Sequence, residues 1–180
     1  MCRVTITLGR VRVISIAVAQ QVVARAKTVV APMAWAKKLN HTAPVWYEYR
    51  SALEYVDDPT ETPEGLSIVG QWKCKDGLKP ENWTFGLFFE GVRVYAVDVQ
   101  LLSYHTNKVG QGRPFFCRSI HGIHEHTWSE EGYGYAEPFA LNPVEGRAAW
   151  TEFLARASIS DSPFVHPDKA INDGQQELGL

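Results

Sequence analysis

Residues 45–56 alternate: Val45, Tyr47, Tyr49, Leu53 and Tyr55 take odd positions, while Glu48, Arg50 and Glu54 take even ones. A period of two belongs to an extended chain, whose successive side chains point to opposite faces, so this stretch is predicted to be a strand with one buried side. The run from Asp57-Asp58-Pro59 to Pro63-Glu64-Gly65 ends it, because Pro lacks a donor and Asp and Gly accept tight-turn dihedrals. Residues 66–74 read as the next strand. Residues 83–89 place Phe85, Leu87 and Phe89 on one face, and Glu90-Gly91 turns directly into 92–102, the clearest hairpin signal in the chain. Asp98 interrupts that last apolar run and, beside Gln100, reads as facing water.

A further turn, 107–114, precedes Phe115-Phe116-Cys117 and the segment Ile120-His121-Gly122-Ile123-His124-Glu125-His126-Thr127-Trp128. Gly122 and Thr127 disfavour a helix there, so residues 120–128 are expected to be a strand. Near the end Asn142 reads as a helix cap, with Pro143 at the first helical position and Glu145 three residues after the cap. Ala149, Trp150, Phe153, Leu154 and Ala157 then form an apolar stripe. The expected fold is α+β: a mainly antiparallel sheet of about five or more strands in meander order, packed by one C-terminal helix.

With 180 residues and six tryptophans the chain can bury one core, and two independent domains would be cramped. Residues 1–33 are set apart as a basic, acid-free extension that need not belong to the fold, because charge and aromatic content change soon after Met33. Residues 34–158 form the domain, and 159–180, rich in Pro and polar residues, read as a disordered tail. Arg3, Arg10 and Arg12 precede an apolar run ending in Ala17-Val18-Ala19, but that run is short and broken by Ser15, which argues against a secretory signal. The β-branched strings at 4–8 and 11–16 suit an extended chain better than an amphipathic presequence.

From Glu48 onward the chain carries a net charge of −9, so the main body should repel a nucleic-acid backbone. No segment approaches the roughly 20 apolar residues needed to span a bilayer. Cys2, Cys74 and Cys117 are odd in number and form no C-x-x-C pair, which fits a reducing cytoplasm. The sequence contains no G-x-S-x-G, dinucleotide fingerprint or H-E-x-x-H, and Gly110-Gln111-Gly112-Arg113-Pro114 lacks the Lys and Ser/Thr of a phosphate loop and reads as a turn. The rings of Tyr133 and Tyr135 are expected to pack on the sheet rim.

Chemistry concentrates in the histidine segment, which holds three of the six histidines. On a strand, His124 and His126 project from one face with Cα atoms about 6 to 7 Å apart, a separation from which two imidazoles can converge on one ion. Further ligands are sought among Glu130, Glu131, Glu137, His105 and Cys117, and Glu130 is preferred. The run from His124 to Glu130 resembles the H-x-H-x-x-x-E core of the first cupin motif over seven residues. Arg118 stands where that motif has its leading Gly, no trailing Gly follows, and the second motif with its later His is missing, so the family is not assigned.

Three readings stay open, and whether the protein is an enzyme is left undecided. The first is a divalent, zinc-like metal site made by His124, His126 and Glu130. The second is a non-enzymatic accessory protein that binds a protein partner through an aromatic-rich surface. The third is a metal-independent ribonuclease, with His124 and His126 as base and acid and Arg113 or Arg118 stabilising the charge of a phosphorane.

Overall fold

A computed structural model describes residues 14–38, 46–74 and 78–168. Its chain order begins with helix α1 (Ile16–Ala24) and two short strands, β1 (Lys27–Val29) and β2 (Ala36–Lys38). Four longer strands follow: β3 (Trp46–Tyr55), β4 (Ser67–Lys73), β5 (Asn82–Phe89) and β6 (Val92–Val99). The small hairpin β7 (Tyr104–Thr106) and β8 (Ser119–His121) comes next, then β9 (His124–Ser129), β10 (Gly132–Pro138) and helix α2 (Gly146–Arg156). The main sheet runs β1-β3-β4-β5-β6-β9-β10, all neighbours antiparallel, with β2 sharing the outer edge of β3. The fold class expected from alternation is therefore present.

Alternation sets the two faces. Trp83, Phe85 and Leu87 of β5 pair with Val99, Val97 and Tyr95 of β6, so these six share the side covered by α2. Trp150 and Phe153 of α2 complete an aromatic core, with ring centroids 5.2 Å apart for Phe85 and Trp150 and 6.0 Å for Tyr95 and Phe153. Each such buried ring contributes about 1.5–3 kcal/mol of transfer free energy. The opposite side of the same strands carries Ala96 and Asp98, and β9 adds His126 and His124 directly across from them.

Several boundaries differ from the sequence reading. Helix α2 starts at Gly146 and not at Pro143; Glu145 is its N-cap residue. A tertiary contact fixes that start, since a Cβ at Gly146 would lie 2.5 Å from the Trp83 ring. The expected strand 120–128 is interrupted: Gly122 takes φ +81° and divides β8 from β9. Ile16 is helical where extension was expected, because the Ser15 hydroxyl accepts from the Val18 amide and caps α1.

Within residues 1–33, Ile14, Ala19, Val22 and Met33 are buried in the core, and β1 pairs with β3. Lys27 is fully buried and donates to the carbonyls of Val22, Val23 and Arg25, satisfying the end of α1, while burial pushes its ammonium down to about 8. Beyond α2, Ile159 is buried and the Trp150 indole donates to the Ser162 carbonyl at 2.8 Å, so 159–168 lie along the core. The strings at 4–8 and 11–13 and the polar run 172–176 lie outside the described residues. Among the described residues no helix is long and apolar enough to cross a membrane.

Candidate metal centre

β9 begins at His124, and its burial alternates from there, with His124, His126 and Trp128 turned inward on one face. His124 and His126 are 2% and 3% exposed, and their rings lie 4.8 Å apart. The same-face pair expected from alternation is thus in place. A third ring joins them: His105 of β7 lies 5.4 Å from His124 and 4.6 Å from His126. One ring nitrogen from each of the three lies within 4.8 Å of the others.

The long connection between β6 and β9 delivers His105. It lies over the edge strand β10, whose outward backbone groups would otherwise be unpaired. The Asn107 side chain takes both groups of Ala136, accepting from its amide at 2.7 Å and donating to its carbonyl at 2.8 Å. His105 Nε2 lies 3.0 Å from the Gly134 carbonyl.

Asp98 supplies the centre's acid and corrects the sequence reading, which turned it toward water. It is 6% exposed, stands across from His124 in register, and presents Oδ2 3.2 Å from His126 Nε2 and 3.6 Å from His124 Nε2. Burial pushes its carboxyl up, yet the His126 hydrogen bond and the nearby basic groups His126, Arg93 and His124 outweigh this, holding it below the usual range. Burial pushes His124 and His105 down, favouring neutral rings. Tyr133 stacks on His126 at 5.6 Å, and burial pushes its phenol up, so it keeps its proton.

The hydrogen bonds of the rings decide which nitrogens are free. The carbonyls of Gly122, 2.8 Å from His124 Nδ1, and of Gly134 can only accept, so each neutral ring carries its proton on the nitrogen facing that carbonyl and keeps a lone pair on the other. His126 can do the same with Nε2–H directed at Asp98, which leaves Nδ1 with the lone pair. Four buried side-chain polar atoms among the described residues lack a hydrogen-bond partner, and three of them are His126 Nδ1, Asp98 Oδ1 and Tyr133 Oη. Buried polar groups are normally satisfied, and these three unmet atoms gather beside the triad.

The other expected site residues lie elsewhere. Glu130 is exposed in the β9–β10 turn, beyond the end of β9, and is not among the three clustered residues. Arg113 reaches the opposite face of β9, donating to Thr127 Oγ1 at 3.1 Å and to the Trp128 carbonyl at 2.8 Å. Arg118 is exposed just before β8. Glu131 accepts from the amides of Gly110 and Gln111, Glu137 stands across from Glu125 in register on the α2 side, and Cys117 is exposed. His121 is exposed and its ring lies tilted against Tyr104, 4.5 Å between centroids. Of the exposed large apolar side chains among the described residues, Tyr104 alone is aromatic.

Comparison with protein-family models, with curated proteins and with solved structures finds no match for this chain.

Proposed function

We propose that the protein binds one divalent metal ion of the zinc type through His105, His124 and His126, with Asp98 orienting His126 and offsetting the ion's charge. The observation that carries this reading is the approach of His124 Nε2 to the Asp98 carboxylate at 3.6 Å inside the protein. Nδ1 of His124 is committed to a carbonyl, so a neutral ring turns its lone pair on the carboxylate. Two acceptors facing each other in a buried place call for a cation. A proton on Nε2 would serve only by charging a ring whose burial disfavours charge.

Imidazole nitrogens bound to one zinc at about 2.0–2.1 Å stand roughly 3.4 Å apart in a tetrahedron. One nitrogen of each ring lies within 4.8 Å of one on each of the others, so small ring movements would bring a set of three to about that spacing. The ion would tie the β6–β9 connection, which carries His105, to the sheet, which carries the other two rings. Burial of His124, His126 and Asp98 favours a structural ion over one that must admit a large substrate. The ribonuclease reading lacks support from Arg113, which lies across the sheet from the histidines.

Elemental analysis of tag-free protein, after chelation and reloading with zinc, tests the proposal. One equivalent is expected, retained in Glu130→Ala and lost in the double variant His124→Ala, His126→Ala. Equal metal content in wild type and the double variant overturns it, and loss in Glu130→Ala alone would return the site to the ligand set read from the sequence.

A further inference from the structure

Across β9 from the triad, a cleft of about 590 Å³ opens between α1, the end of α2 and strands β6, β9 and β10. That volume lies within the range of small-molecule sites. Its apolar wall includes Ala19 and Val23 of α1 and Val94 of β6, and its charged groups are Arg113, Arg156, Glu125 and Glu137. These four charges are not equivalent. Glu125 is fully engaged, accepting from the Tyr95 hydroxyl at 2.7 Å and from Arg156 at 3.1 Å. Arg113 and Glu137 join no ion pair among the described residues.

Arg113 is half-buried and held by neutral groups alone: Thr127 Oγ1, the Trp128 carbonyl and the Tyr135 ring, 4.6 Å from the guanidinium carbon. Those two hydrogen bonds use two of the five N–H donors of a guanidinium, so three remain. The loop bearing it is itself fixed. Glu131 grips the amides of Gly110 and Gln111 at 3.0 Å each, and the Phe115 amide donates to Tyr135 Oη at 3.2 Å. Gly110 sits so close to the Tyr135 ring that an added Cβ would lie 2.2 Å from it, and its φ of +89° suits glycine. A guanidinium positioned this firmly, without a carboxylate of its own, is a preformed anion anchor.

We propose that this cleft binds a zwitterionic small molecule of amino-acid type, its carboxylate on Arg113, its ammonium toward Glu137 and its apolar body against α1 and Val94. Charge balance selects this class: the two groups that join no ion pair among the described residues, Arg113 and a Glu137 whose neighbour is the neutral Tyr135 hydroxyl, have opposite sign and line one apolar-walled space. The inference does not depend on the metal reading, because none of the triad residues lines the cleft.

Amide NMR spectra of the full chain, titrated with each of the twenty common amino acids to about 10 mM, test it; affinities near millimolar are expected for ligands of this size. Apolar amino acids should give saturable shifts at residues 19–23, 94, 113 and 127. For L-phenylalanine, removing the carboxylate (phenethylamine) or the amine (3-phenylpropionate) should weaken binding at least tenfold, as should Arg113→Gln. Glu137→Gln should weaken L-phenylalanine but leave 3-phenylpropionate unchanged, a pattern that a merely structural role would not give. No saturable shift at the cleft from any amino acid, or equal binding of L-phenylalanine and both analogues, overturns the proposal.

Discussion

The two faces of β9 carry ionisable groups from adjacent residues of one strand, yet they treat them differently. On the α2 side, Glu125 meets a tyrosine hydroxyl and an arginine. On the other side, Asp98 and His126 are more deeply buried, and each leaves one polar atom without a partner. Burial raises the cost of an unmet polar atom, so the more buried face should be the better satisfied one if both served stability alone. On the proposed metal reading, the reversal separates a face whose charges hold the fold together from one whose charges await an ion.

The largest expected effect breaks the comparison on its apolar side. Phe153, fully buried against Phe85 and Tyr95, should cost about 3–5 kcal/mol when changed to Ala, with or without metal, as read by urea denaturation. Next comes the triad: zinc at a hundred times its Kd should stabilise the wild type by about 2.7 kcal/mol and His124→Ala by nothing. Equal stabilisation of both by zinc would place the ion elsewhere. Asp98→Asn should then sharpen the contrast. It should weaken zinc about 10–100-fold while lowering metal-free stability only slightly, because the neutral amide gives up the attraction of the basic neighbours but no longer buries a charge. A large loss of metal-free stability would instead make Asp98 a fold-holding group like Glu125.

The smallest effect is local. Backbone amides of Gly110 and Gln111 hold the Glu131 carboxylate down to about 2 from 4.5. A depressed carboxylate contributes stability that is complete above the unfolded value and is lost as pH falls toward the folded one. Protection of those two amides from hydrogen exchange should therefore persist at neutral pH and fade between about 4.5 and 2. Protection that does not change over this window would remove Glu131 as the loop's anchor.

Much of the fold was legible because alternation is local. The buried odd positions of β3 and the β5–β6 hairpin follow from a few neighbouring residues, and so does the common face of His124 and His126. The rest of the centre is not local. Asp98 meets His124 only because β6 pairs with β9 across an intervening connection of 24 residues, and that connection brings in His105. A signal was nonetheless present: residues 94–99 are otherwise apolar, and such a run reads as a strand buried on both faces, where a lone carboxylate must be paired. Glu130 looked favourable by spacing, but the β9–β10 turn carries it out of the sheet. The break at Gly122 and the helix start at Gly146 likewise depend on a turn dihedral and a tertiary contact with Trp83 that periodicity does not report.

Anomalous X-ray diffraction from crystals of zinc-loaded, tag-free protein, recorded on both sides of the zinc edge, tests the central claim most directly. The account predicts one dominant peak about 2.0–2.1 Å from a ring nitrogen of each of His105, His124 and His126. A peak centred on other residues, or none at the triad in crystals that contain zinc, would contradict it.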